Sequence, residues 1–199
     1  MDIIFPIIGY LVGSIPFGLI IGMLAGTDVR KEGSRNIGAT NVNRVLGKKL
    51  GLLTLICDCA KGFLPIWLAW YLLPGTGARD LAIALTGVMA VVGHMFPAYL
   101  QFHGGKGVAT GLGVFLFFSP AAIAISLAIF LASVWFTGFV SVGSLLASAL
   151  VPLWLYLLGS SKIAIAAATV IALLIWGKHH ENINRLMHGQ EKPWKSAKP

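Results

Sequence analysis

From Gly107 to Gly177 the chain runs for 71 residues with a single charged side chain, Lys162. A water-soluble domain has nowhere to put so long an uncharged run, whereas a bilayer accepts it, since one membrane-crossing helix takes about 20 apolar residues. The rest of the 199-residue chain is similar: 57% of residues are hydrophobic, 11% are charged, and the mean hydropathy is +0.83. That leaves too few charges to cover a wetted surface and too much hydrophobicity for a disordered chain. Lipid admits only helices or closed barrels, and the long apolar runs are of helical length. The expectation is an all-α, polytopic integral membrane bundle, read as one domain over residues 1–199.

Fifteen Lys and Arg against seven Asp and Glu give a formal charge of +8. In a membrane chain such an excess points to basic cytoplasmic loops and to anionic lipid or substrate, rather than to nucleic acid. Cys57 and Cys59 lie two apart in an apolar run, where a helix directs them to nearly opposite sides, so neither a disulfide nor a zinc site is supported. No metal and no cofactor is expected. The amino-terminal stretch lacks the basic start of a secretory signal and stays apolar too far for one, so it reads as the first membrane helix, residues 3–25.

Two further apolar stretches cover residues 50–73 and 81–100. Basic residues cluster in residues 26–49, around Lys106 and from Lys178 onward, and the positive-inside rule puts all three on the cytoplasmic face. An even number of crossings then separates Lys106 from Lys178. Two would average about 35 residues each, whereas four average about 18, nearer the roughly 20 that a bilayer needs. Ser119-Pro120, Thr137-Gly138 and Gly159-Ser160-Ser161 divide the stretch into four pieces, the first of them, residues 108–118, being short. The topology expected is seven transmembrane helices, amino terminus outside and carboxyl terminus cytoplasmic; five longer helices would have the same sidedness.

Three polar segments on one side of a small bundle can converge. The first, Gly33 to Arg44, mixes glycines, Asn and hydroxyl side chains with two guanidinium groups, all suited to binding phosphate. An ordinary basic cytoplasmic loop has the same composition, although three Asn and a Thr are costly to bury without partners. The second runs from Gly93-His94-Met95-Phe96-Pro97 through Gly104-Gly105-Lys106-Gly107 to Thr110. Glycines ahead of a helix let backbone N–H groups approach an anion, and Lys106 would complete the site; a tight interhelical turn needs the same glycines. The spacing is not that of a Walker A loop. The third is Lys178 to Leu186, in which a continuous helix would put His179, Asn182 and Arg185 on one face. A basic tail lying on anionic lipid is the simpler alternative. Asp58 and Lys61, at i and i+3 in the second apolar stretch, are expected to form a structural ion pair, since isolated charges at membrane depth are expensive. His94 reads as a hydrogen-bonded residue at a helix end.

At these segments the chain closely resembles the PlsY family, the bacterial membrane glycerol-3-phosphate acyltransferases that use acyl-phosphate. The matching stretches are GSRNIGATNVNRVLGKKLG, GHMFPAYLQFHGGKGVAT and KHHENINRLMHGQE, with SIPFG in the first helix and DCAKG in the second. They span essentially the whole chain. One departure is Arg35, where family members usually carry Gly; it brings an extra cation.

The resemblance implies acyl transfer from acyl-phosphate to the 1-hydroxyl of sn-glycerol 3-phosphate in a seven-helix protein of the bacterial inner membrane, its active site facing the cytoplasm. It puts Ser34, Arg44, Lys106, His179 and Asn182 on the family's phosphate-binding and essential positions, with Asn36, Thr40 and Asn41 as neighbours. Gly104, Gly105 and Gly107 match the loop linked to glycerol 3-phosphate. The partners implied are the two substrates, membrane lipid and an enzyme that supplies acyl-phosphate. No histidine here is followed five residues later by a carboxylate, so the His-x-x-x-x-Asp chemistry of other glycerolipid acyltransferases is absent. The rival reading is a small transporter or channel for phosphate or an organic phosphate. Such a protein would need polar groups at mid-membrane depth, and the later helices offer few.

Overall fold

The computed structural model describes residues 3–75 and 78–194. Two compact units, Met1–Phe118 and Ser119–Pro199, make up the chain. The first contains α1 (Ile4–Gly13), α2 (Phe17–Leu24), α3 (Ala39–Leu46), α4 (Lys48–Leu72), α5 (Ala78–Met95), a single 3-10 turn (Ala98–Leu100) and α6 (Val108–Phe118). The second contains α7 (Pro120–Thr137), α8 (Val140–Leu157), α9 (Lys162–Lys178) and α10 (His180–Met187). Among the described residues there is no strand. Five helical segments are long and apolar enough to cross a bilayer, or six if the bent pair α9 and α10 counts as one.

The turn signals of the long uncharged stretch fall where helices break. Ser119 caps α7, its Oγ accepting from the Ala122 N–H at 3.2 Å, and Pro120 takes the first helical position, where its missing N–H costs nothing. Gly138 (φ 78°) and Gly159 (φ 73°) follow the ends of α7 and α8 in the left-handed conformation that glycine accepts. Ser161 caps α9 in the same way as Ser119 caps α7. Four helices therefore lie between Gly107 and His179. At 11 residues, α6 is about 16 Å long, well short of the roughly 30 Å hydrocarbon core.

Three expectations need correction. The stretch 3–25 makes one candidate span, Ile4–Leu24, but its helix is interrupted, because Pro16 cannot donate and disfavours a helical residue before it, so α1 stops at Gly13 and α2 begins at Phe17. The polar segment 26–49 is not wholly loop, since α3, apolar on one side and polar on the other, occupies Ala39–Leu46. The third apolar stretch is α-helical only to Met95; Pro97 then diverts the chain into the 3-10 turn.

Within the first unit α1 packs along α5, and α4 packs against both α5 and α6. Neighbouring lipid tails are as apolar as the side chains, so association depends on close approach of small residues. Gly9 of α1 lies against Thr86 of α5, Gly13 against Ala90, and Ser14 against Gly93. These contacts advance together along both helices, so α1 and α5 run in parallel. The Asp58–His94 and Ile66–Gly87 contacts run in opposite order, making α4 antiparallel to them. The segments that follow α1–α2 and α5 consequently leave from the same end of the unit. A Cβ on Gly13 would collide with the Ala90 backbone, so Gly13→Val should force α1 off α5 and destabilise the protein by about 1–3 kcal/mol. Thermal unfolding in detergent measures this as a lowered midpoint.

Candidate active site

The Gly33–Arg44 segment is organised around one side chain. Asn41 is 1% exposed; its amide donates to the carbonyls of Val29 (2.9 Å), Glu32 (3.2 Å) and Asn36 (2.9 Å), and its Oδ1 accepts from the Ser34 N–H at 2.7 Å. The cost of burying Asn is thereby met entirely within the loop. Asn36 closes a smaller turn, its Oδ1 accepting from the Gly38 N–H at 2.9 Å immediately before α3. Gly33 (φ 61°) packs its backbone against the Asn41 amide, where a Cβ would collide. Arg35 is also left-handed (φ 60°), a conformation that costs a residue with a Cβ more than it costs glycine.

Ser34 is exposed on this scaffold, and Thr40 and Arg44 are half-buried on α3. Arg44 has no acidic partner among the described residues, whereas Arg30 is engaged by Asp28 through contacts of 2.9 and 2.8 Å. The hydrogen bonds from Arg30 hold the Asp28 carboxyl down at about 2.

The second segment is clamped to the end of α5. Gly105 donates its N–H to the His94 carbonyl at 3.0 Å, and its α-carbon sits so close to the His94 ring that a Cβ would strike Nε2. Gly104 is pressed against the His94 carbonyl and Pro97, and Gly107 (φ 81°) against Met95 and Val91. Lys106 is half-buried between these anchored glycines, two residues before the start of α6. His103, exposed, donates from Nδ1 to the Gln101 carbonyl at 2.7 Å.

In the second unit the helix does not continue through His179, as a shared face for His179, Asn182 and Arg185 would require. His179 ends α9 and begins α10, and the two axes differ by 55°. His179 is 3% exposed and its Nδ1 donates to the Ile175 carbonyl at 2.7 Å, which puts the proton of the neutral ring on Nδ1. Asn182 is buried as well, and its amide donates to Glu191 Oε1 at 2.5 Å; Arg185 reaches Oε2 of the same carboxylate at 2.7 Å. Beyond Gly189 (φ 67°) the chain folds back, and the Trp194 N–H donates to the Gly138 carbonyl at 2.7 Å. Glu191 was not singled out from the sequence. It ends the matching stretch KHHENINRLMHGQE, and Gly189, three residues after Leu186, permits the reversal.

A family model described as glycerol-3-phosphate acyltransferase matches residues 3–189. The chain belongs to this family. A glycerol-3-phosphate acyltransferase of Desulfotalea psychrophila is 70% identical over 195 residues, covering 98% of this chain and 99% of the relative. One of Trichlorobacter lovleyi is 47% identical over 187 residues, covering 94% of each. Among solved structures, the glycerol 3-phosphate form of PlsY, an integral membrane glycerol 3-phosphate acyltransferase, superposes with a TM-score of 0.91 at 41% identity, covering 96% of this chain and 94% of that one. Its lysophosphatidic acid form superposes with a TM-score of 0.89 at 40% identity over the same shares. This chain is accordingly an acyltransferase with the integral membrane fold of that family, and it is multi-pass.

Burial opposes ionisation of Glu191, but the hydrogen bonds from Asn182 and Arg185 outweigh it, so its carboxyl lies below the ordinary value of 4.5. A depressed value in the folded state means that the carboxylate stabilises the tail at and above pH 4.5, and that the contribution fades as the pH falls through the lower, folded-state value. Proteolysis of the carboxyl-terminal segment should accelerate at acid pH in the native protein. In Glu191→Gln it should be faster at neutral pH and lose that acid step.

Proposed function

We propose that this protein transfers a fatty acyl group from acyl-phosphate to the 1-hydroxyl of sn-glycerol 3-phosphate, releasing lysophosphatidic acid and inorganic phosphate, the first acylation of phospholipid synthesis. The observation that carries this reading is the 70% identity to a glycerol-3-phosphate acyltransferase over nearly the whole of both chains. The geometry of the first unit suits it: Arg44 and Lys106 belong to two segments that leave the same end of parallel helices, each segment anchored by its own buried partners. Both substrates are phosphorylated, so such a site must hold two anions.

Ser34, Arg44, Lys106, His179 and Asn182 are the proposed catalytic residues. Asn36, Thr40 and Asn41 support the first segment, Asn41 by holding it in shape. Gly104, Gly105 and Gly107 bring backbone close to glycerol 3-phosphate. The topology proposed is seven crossings, α6 counted as a short one and α9 with α10 as a bent one, the amino terminus outside and the carboxyl terminus and active site on the cytoplasmic face of the bacterial inner membrane. Acyl-phosphate comes from a supplying enzyme. The Asp58–Lys61 pair does not favour a transporter, because both side chains are 2% exposed or less and each is engaged by the other.

The step is direct. The hydroxyl oxygen of glycerol 3-phosphate attacks the acyl carbonyl carbon, the carbonyl–phosphate bond breaks, and the departing phosphate takes the hydroxyl proton. No cofactor is needed, because the acyl group arrives activated. The cations stabilise the charge that develops on the carbonyl and phosphate oxygens, and positioning of the two anions lowers the remaining barrier.

Purified protein mixed with acyl-phosphate and glycerol 3-phosphate should release phosphate and lysophosphatidic acid in equal amounts. Lys106→Ala should insert normally yet lose turnover by about 100-fold or more; normal turnover would remove the glycine loop from the site. Rapid quenching with radiolabelled acyl-phosphate should leave no acyl group on the protein. Label on Ser34 would replace direct transfer by a covalent route.

A further inference from the structure

Two motifs of the family likeness, SIPFG and DCAKG, take no part in the proposed chemistry, yet their side chains meet inside the first unit. Lys61 Nζ is 2.8 Å from Asp58 Oδ1 and donates to the Ile15 carbonyl at 2.7 Å, and it stands 5.7 Å from the centre of the Phe17 ring. His94 joins from α5, its Nδ1 3.7 Å from the same Asp58 oxygen. All three side chains are almost fully buried: Asp58 is 1% exposed, Lys61 2% and His94 4%.

The cluster reaches both phosphate-binding segments through backbone contacts. On one side the His94 ring and carbonyl seat Gly105 and Gly104, next to Lys106. On the other, Lys61 holds the Ile15–Phe17 break, and Gly18, the next residue, has its α-carbon against the Ile37 carbonyl of the first segment, where a Cβ would collide. A single ion pair is thus tied to the segment that carries Arg44 and to the loop that carries Lys106.

We propose that Asp58, Lys61 and His94 are positioning residues for acyl transfer: the buried pair fixes the spacing between the two anion-binding segments, with His94 relaying it to the glycine loop. This rests on the reading of Lys106 and the glycines as the glycerol 3-phosphate site. Replacing a structural pair that served stability alone would reduce the amount of folded enzyme, and hence the maximal rate, and leave KM where it was. Replacing a positioning pair shifts KM in the molecules that do fold.

The test compares Lys61→Met, Lys61→Arg, Asp58→Asn and His94→Gln with the wild type in purified, size-homogeneous form, rates being normalised to folded protein. His94→Gln leaves the ion pair intact and stands in for any pair variant that fails to fold. Lys61→Met, Asp58→Asn and His94→Gln should each raise KM for glycerol 3-phosphate by about tenfold, since small displacements of a binding group are costly. Lys61→Arg should recover part of the loss, and Asp58→Asn with His94→Gln together should be no worse than the poorer single variant. Wild-type KM in the folded fraction of these variants, or full additivity of the double variant, overturns the proposal. Lys106→Ala separates the two readings. If Lys106→Ala is fully active, the site assignment fails; if it is inactive while the other variants keep wild-type KM, only the positioning role fails.

Discussion

One ammonium group, that of Lys61, resolves a problem created by Pro16. In lipid a broken helix leaves carbonyl oxygens that no water can satisfy. At the break between α1 and α2 the Ile15 carbonyl accepts from Lys61 and from the Phe17 N–H at 3.1 Å, while Asp58 balances the charge. Removing either partner would leave the other charged and buried, which is far worse than never having had the pair. The break in the amino-terminal span, the approach of Gly18 to Ile37 and the seating of the glycine loop on His94 all lie at groups in contact with this pair or next to them.

Small residues supply the rest of the cohesion. Gly9, Gly13 and Gly93 bring α1 and α5 together backbone to backbone, and Gly62 and Gly113 do the same for α4 and α6 at Thr110 and Cys59. The bulky side chains point elsewhere: Leu64, Trp67 and Trp70 of α4 and Trp135 and Phe136 of α7 are exposed, as lipid-facing residues should be. In the second unit polar contacts take over, Asn182 and Arg185 sharing the Glu191 carboxylate across a chain reversal.

Features set by local chemistry could be read from the sequence. Ser119-Pro120 and Ser161 are helix starts with a mechanism, Gly138 and Gly159 are helix ends, and the i, i+3 spacing of Asp58 and Lys61 anticipated their ion pair. Features set by distant partners could not. Pro16 was visible, but its consequence inside an apolar run depends on whether another helix can satisfy Ile15. The brevity of α3, only eight residues among Asn and Gly, hid its helical period. The bend at His179 and the grip of Glu191 on Asn182 arise from a fold-back nine residues long in sequence, which no periodicity announces. The residue types that suit a phosphate site were legible in the sequence; what holds those side chains in place was not.

The polar segments of the first unit close the end of an otherwise apolar bundle, and this has a consequence for traffic. In the proposed reaction one reactant is dissolved in the bilayer and the other in water, so they meet only at such a boundary. Their products leave by opposite exits: the acylated one slips sideways among the lipid tails, while orthophosphate escapes to the aqueous side. Partition between two phases thus draws the products apart as they form, while the activated acyl–phosphate bond, and not the loops, sets the direction of net reaction.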